Sequence, residues 1–289
     1  MRTFSSLTRL TVSIIGFALI GILMVGGVQN SDTLGIGNAQ ADSHASSAKE
    51  QLEKSPRHGE WVKISTESGR EVSAFIVFPE IKDKATSVIV IHEIFGLTDW
   101  IRQVGDELAK AGFVAICPDF LSGMGPNGGG TDSFGGNNVR RAIRDLDPDQ
   151  ITADLKAVTK YVRELPSTTD AVAVSGFCWG GRQSFRFATN DNSLKAAFVF
   201  YGSPPDAAAL GKITCPVYGF YGESDNRINS TIESTKAAAA SAGITYEPVI
   251  YFGVGHGFLR RGMAAAASEV QKTATREAWE RWVNLLNKH

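Results

Sequence analysis

From Trp61 onward the chain alternates short β-branched and aromatic runs with longer stretches whose apolar residues return every three or four positions. Trp61 to Thr66 and Val72 to Phe78 read as two strands joined by a turn at Ser68-Gly69. Val88 to His92 is a continuous apolar run of the kind buried on both faces of a parallel sheet. Asp99 to Ala111 is predicted helical, with Ile101, Val104, Leu108 and Ala111 on one face and Gly112 as its stop. Phe113 to Ile116 follows as a strand, and Pro148 to Leu165 as a helix with proline suited to its first turn. Ala171 to Val174 is a strand, then comes a helix from Cys178 to about Thr189 and strands at Ala197 to Tyr201 and Val217 to Tyr221. Helix Ile228 to Ala242, strand Tyr246 to Tyr251 and helix Glu269 to Leu286 complete the series. This βαβα rhythm predicts an α/β fold, a mostly parallel central sheet with helices on both faces.

Leu121 to Val139 breaks the rhythm, with Gly128-Gly129-Gly130 and Gly135-Gly136 among Asn and Ser. It leaves the carboxyl end of a central strand, the rim where ligands bind in open α/β sheets. A mobile flap over a pocket and a disordered surface loop are equally compatible with that composition. A phosphate cradle is not, because no Gly-Lys-Ser/Thr follows and no helix is expected directly after it.

The N-terminus has a different character. Arg2 and Arg9 flank the start of an uncharged, mostly apolar stretch from Leu10 to Val28, and Asn38-Ala39-Gln40-Ala41 offers an Ala-x-Ala cleavage site. Residues 1–41 read as a secretory signal peptide, 42–57 as a flexible polar lead-in and 58–289 as one domain. A periplasmic or secreted protein is expected, free of the membrane once the signal is cut. Uncut, the apolar stretch would reach roughly 28 Å as a helix and could anchor the chain.

Cleavage takes Arg2, Arg9 and Asp32 away, leaving 27 of 29 basic and 29 of 30 acidic residues. So even a balance gives no electrostatic reason to expect nucleic acid or anionic lipid as a partner. A monomer is expected. The three cysteines, Cys117, Cys178 and Cys215, are an odd number for an exported protein. Cys117 and Cys215 fall at opposite sides of a parallel sheet, so no disulfide joins them and Cys178 stays a free thiol.

Gly176-Phe177-Cys178-Trp179-Gly180-Gly181 lies between the Ala171 strand and the next helix. A Gly-x-nucleophile-x-Gly turn at such a junction is a nucleophile elbow, here with Cys in place of the commoner Ser. A thiol nucleophile needs a base, and the base an orienting acid. Asp225, in Gly222-Glu223-Ser224-Asp225, and His256, in Gly255-His256-Gly257-Phe258, both follow strands at the edge to which the elbow delivers Cys178. His44, His58 and His289 lie in the lead-in, near it, or at the last position, and make poor bases. Glu223 competes with Asp225, which sits farther out on its loop. The backbone N–H groups of Trp179 and of Ile94, after the Val88 strand, are the expected oxyanion donors. His92-Glu93 suggests no metal, because neither H-E-x-x-H nor a Cys/His cluster accompanies it, and no cofactor is expected.

The elbow, His92-Glu93-Ile94-Phe95-Gly96-Leu97, Tyr221-Gly222-Glu223-Ser224-Asp225 and His256-Gly257-Phe258 together resemble the dienelactone hydrolase (carboxymethylenebutenolidase) family of α/β-hydrolases, from about Trp61 to the final helix. The resemblance implies a Cys178-His256-Asp225 triad cleaving an enol-lactone ester, as the type enzymes convert dienelactone to maleylacetate. It implies that Glu93 holds the resting thiol and helps convert it to thiolate when substrate enters. It also implies that Arg260 pairs with a substrate carboxylate, with a second arginine from Arg140, Arg141 or Arg144. The export signal and the glycine-rich insert depart from the cytosolic type enzymes and bear on the substrate. Two other readings stand beside this one: a general carboxylesterase or peptidase with a Cys nucleophile, and a binding or redox-sensing protein on the same scaffold.

Overall fold

The computed structural model describes residues 48–289; the expected signal peptide and the start of the lead-in lie outside them. Helix α1, of which residues 48–53 are described, precedes β1 (Gly59–Ser65), β2 (Glu71–Val77) and β3 (Ala85–Ile91). Helix α2 (Asp99–Lys110), β4 (Val114–Pro118), α3 (Asn137–Arg144), α4 (Pro148–Glu164), β5 (Thr168–Phe177) and α5 (Trp179–Ala188) follow. The chain ends with β6 (Ala196–Phe200), β7 (Val217–Gly222), α6 (Asn226–Asn229), α7 (Ile232–Ala242), β8 (Tyr246–Tyr251), α8 (Phe258–Gly262) and α9 (Glu269–Leu286). The strands form one sheet in the order β1-β2-β4-β3-β5-β6-β7-β8. Only β1–β2 and β2–β4 pair antiparallel, and the rest is parallel.

Alternation along the strands sends side chains to two cores. Ile89 and Ile91 of β3 face one layer with Ile151, Leu155, Val158 and Val162 of α4 and Phe185 of α5. Val88 and Val90 face the other, with Ile101, Val104 and Leu108 of α2 and Ala278 and Trp282 of α9. Trp282 is fully buried against Phe177, Phe198 and Phe200, so its truncation to alanine would cost about 3–5 kcal/mol. Helix α4 starts where Asp147 Oδ1 accepts the N–H of Asp149 at 2.9 Å and Pro148 needs no partner. Helix α9 starts on a reciprocal pair between Ser268 and Gln271.

Three expectations need revision. The lead-in is structured where it is described: Ala48 is buried, Ser55 Oγ donates to Asp106 Oδ1 at 2.6 Å, and the Arg57 guanidinium clasps the same carboxylate. A nearly buried carboxylate on α2 thus supplies the anchor that a polar segment lacks. The helix read over Ile228 to Ala242 is two helices, because Asn229 Nδ2 donates back to the carbonyls of Gly222 and Glu223 and Thr231 Oγ1 to that of Ile228. The glycine-rich segment is neither a loose flap nor disordered. It folds onto the Asp119 carboxylate, which accepts from the N–H groups of Leu121 and Thr131 and from the Thr131 hydroxyl.

Cys117, Cys178 and Cys215 are free thiols, the first in β4 and the third beside β7, four strands away. Among the described residues no helix is long and apolar enough to cross a membrane.

Candidate active site

The elbow is built by close approach. A Cβ on Gly176 would sit 2.0 Å from the Gly180 carbonyl oxygen, and one on Gly180 would sit 2.4 Å from that of His92. Helix α5 can therefore start directly against β5 and the end of β3 only with glycine at both places. Cys178 takes the strain, with φ of 56° and ψ of −113°, and its N–H is tied to the Phe200 carbonyl at 3.0 Å. The side chain is half-buried at the carboxyl rim of the sheet.

His256 and Asp225 reach the same rim from β8 and β7. His256 Nδ1 and Asp225 Oδ2 are 2.5 Å apart, and Asp225 is buried while the ring is one-third exposed. Burial alone would lower the pKa of the imidazole. The hydrogen bond with Asp225, helped by the nearness of Cys178, outweighs it and raises the ring to about 9. Asp225 is bonded to the ring and Cys178 is near enough to act on it, so the three form one cluster at the rim. Glu223 turns away: its Oε2 accepts the N–H of Gly253 at 2.9 Å on the loop leading to His256.

The Ile94 N–H comes from the turn after β3, the strand beside β5, and makes no hydrogen bond to protein among the described residues. The N–H of Trp179 is the first of α5 and so has no intrahelical partner. The Trp179 indole stacks on His92 with ring centroids 5.4 Å apart.

Glu93 is buried and receives Arg260 Nε at 2.8 Å on Oε2. Burial pushes its carboxyl above the usual range, and the Arg260 charge offsets that only in part. The Arg260 guanidinium also lies 5.3 Å from the centre of the Phe95 ring, and Arg140 lies 4.9 Å from the same ring. Of the three arginines the sequence left open, Arg140 is therefore the one that shares the Phe95 ring with Arg260. Arg141 pairs loosely with Asp145 at 3.7 Å on an exposed surface, and among the described residues no ion pair or ring contact brings Arg144 to the site.

Tyr201 belongs to the cluster and escaped the sequence reading. It follows β6 with φ of 41°, is fully buried, and packs edge-on to His256 at 5.1 Å. Its hydroxyl lies near Glu93 yet meets no partner in hydrogen-bond geometry among the described residues. Burial, then the neighbouring carboxylate, pushes its pKa far up, so it stays a neutral donor. Its place at the carboxyl end of a strand two over from β3 was the available signal. A concavity of about 680 Å³ between β1 and α4 contains none of these residues.

The model of the dienelactone hydrolase family matches residues 72–289. Carboxymethylenebutenolidase 1 of Cupriavidus pinatubonensis is 29% identical, across 78% of this chain and 95% of its own. A crystal structure from Klebsiella pneumoniae, named "Putative Dienelactone Hydrolase", superposes with a TM-score of 0.70 at 25% identity, covering 81% of this chain and 99% of that one. A dienelactone hydrolase-like promiscuous phosphotriesterase from metagenomic libraries shares the fold, with a TM-score of 0.68 at 20% identity over 80% of this chain and 98% of its own. The chain belongs to the dienelactone hydrolase family: it is an ester or lactone hydrolase on the α/β-hydrolase fold.

Proposed function

We propose that this hydrolase opens a carboxylate-bearing enol lactone or a related acidic ester through a thioester on Cys178, and that it works after export as a monomer. The observation that supports the mechanism is the imidazole of His256, bonded at Nδ1 to the Asp225 carboxylate and close to Cys178. His256, raised to about 9, holds the thiol proton as an imidazolium while the Cys178 sulfur attacks the acyl carbon, and Asp225 accepts the Nδ1–H and keeps the ring in line. The tetrahedral oxyanion is met by the N–H groups of Ile94 and Trp179. His256 then returns the proton to the leaving enolate. Water, deprotonated by the same ring, attacks the thioester and frees Cys178.

Arg140 and Arg260 flank Phe95 and supply the charge that holds a substrate carboxylate. Arg260 is engaged with Glu93 in the free protein. An arriving carboxylate competes for that guanidinium, and Glu93, already pushed toward its neutral form by burial, gains affinity for a proton as the ion pair loosens. The reading favours acidic substrates over neutral esters for this reason. Export rests on residues 1–41, with their charged start, apolar run and Ala-Gln-Ala.

The test is hydrolysis of a carboxylate-bearing enol lactone by the wild-type chain and by Cys178→Ala, with intact-mass detection of the acyl-enzyme. Turnover and the adduct should both vanish in the variant while its unfolding transition stays cooperative. Wild-type turnover by Cys178→Ala would overturn the mechanism.

A further inference from the structure

The glycine-rich segment touches the site through one side chain. Residues Glu93 to Gly96 form a tight turn, closed by the N–H of Gly96 on the Glu93 carbonyl at 3.1 Å. That turn carries the Glu93 carboxyl, the Ile94 N–H and the Phe95 ring, three of the groups the reaction would use. Its far end is held by Thr131. The N–H of buried Leu97 donates to Thr131 Oγ1 at 3.1 Å, and Thr131 Oγ1 donates in turn to Asp119 Oδ1 at 2.7 Å. The N–H of Thr131 donates to Asp119 Oδ2 at 2.7 Å, so both oxygens of the carboxylate hold this one residue.

The fit is steric as well. Gly96 has φ of +77°, and a Cβ there would sit 2.4 Å from Thr131 Oγ1. Thr131 itself and Asp119 are each at most 6% exposed, so water does not replace these bonds. Gly130 lets the segment reach the carboxylate, since a Cβ there would sit 2.3 Å from Asp119 Oδ2. Gly125, Gly129 and Gly130 of this segment thus serve close approaches, the first two to Ser133 and the third to Asp119.

We infer that Thr131, locked by Asp119, is a positioning residue that sets the Glu93–Gly96 turn and so aims the Ile94 N–H at the developing oxyanion. The inference rests on the hydrolase reading for its kinetic consequence, but the mechanical link from residue 131 to residue 97 stands apart from it. A Thr131 hydroxyl that both accepts from Leu97 and donates to Asp119 cannot be replaced by a group of the same shape without a hydroxyl. Thr131→Val leaves the Leu97 N–H without an acceptor in a buried place, and the turn relaxes. Thr131→Ser keeps both bonds.

The experiment compares wild type, Thr131→Val and Thr131→Ser on a neutral p-nitrophenyl ester, which does not call on Arg140 or Arg260. Thr131→Val should lose about 10- to 100-fold in kcat with KM within about threefold, as expected for misaimed catalytic groups. Its Cys178 should still alkylate with iodoacetamide at the wild-type rate, and Thr131→Ser should keep wild-type kcat. Amide hydrogen exchange at Gly96 and Leu97 should speed up at least tenfold in Thr131→Val and not in Thr131→Ser. Unchanged kcat, or unchanged exchange at Leu97, overturns the inference. Should Thr131→Val fail to fold, Thr131→Ala, which relieves the contact with Gly96, has to show the same pattern. A wild-type chain that cleaves no ester would sink the hydrolase reading, whereas the exchange data would still decide whether residue 131 holds the turn.

Discussion

Arg260 and Glu93 are joined in the free protein by an Nε–Oε2 contact of 2.8 Å, with the carboxylate buried and the guanidinium only 17% exposed. Removing one partner leaves the other charge in a place that water scarcely reaches. Glu93→Gln is expected to lower stability by about 1–3 kcal/mol, read from urea unfolding. Glu93→Gln combined with Arg260→Gln should cost less than the sum of the two single changes. A strictly additive pair would mean that the contact is not felt in solution.

The His256 ring, raised to about 9, makes stability depend on pH in a definite direction. The folded value lies above the ordinary 6.5, so the protonated ring stabilises the fold fully below about pH 6.5 and this contribution fades as pH rises through about 9. Since the ring is one-third exposed, screening trims the effect to about 1–2 kcal/mol. In Asp225→Asn the largest cause of the rise is gone, and burial should carry the ring below the wild-type value. NMR titration of the ring and chemical unfolding at pH 6 and pH 9.5 check both statements. The gap in stability between wild type and variant should be larger at pH 6.

Arg140 and Arg141 are adjacent in sequence and differ in place. Only Arg140 reaches Phe95. Arg140→Met should raise KM for a carboxylate-bearing lactone about tenfold, the loss of roughly 1.4 kcal/mol of binding, with no such change for a neutral ester. Arg141→Met should behave as wild type on both. Steady-state kinetics on the paired substrates decides this.

Gly180 and Gly211 offer a contrast in stability. A methyl group at Gly180 would press on the carbonyls of Ile91 and His92 at 2.4 Å, whereas one at Gly211 would meet nothing within 4 Å. Gly180→Ala should cost about 3 kcal/mol or prevent folding, and Gly211→Ala should stay within about 0.5 kcal/mol of wild type. Thermal unfolding measures both.

Much of the fold was readable because its signals are local. The apolar run from Val88, the period of Ile101, Val104 and Leu108, and the proline before α4 each act within a turn or two of chain. The elbow was readable for the same reason: glycines two residues either side of Cys178 state a steric need in five positions. Helix α3 went unread because Gly135 and Gly136 mask its start, although Val139 and Ile143 mark one buried face. The order of Cys178, Asp225 and His256 pointed to one rim, since consecutive parallel strands deliver their loops to the same edge.

What the order of residues could settle was chemistry at single positions and the alternation of elements, because hydrophobic period and turn sterics are short-range forces. Which arginine shares Phe95 with Arg260, that Glu93 is held by a guanidinium 167 residues away, that Tyr201 packs edge-on to His256, and that a glycine-rich insert grips a turn through Thr131 were decided by tertiary packing. Those contacts join segments far apart along the chain. Their energies depend on burial and angle, and both come into being only when the sheet closes its two cores.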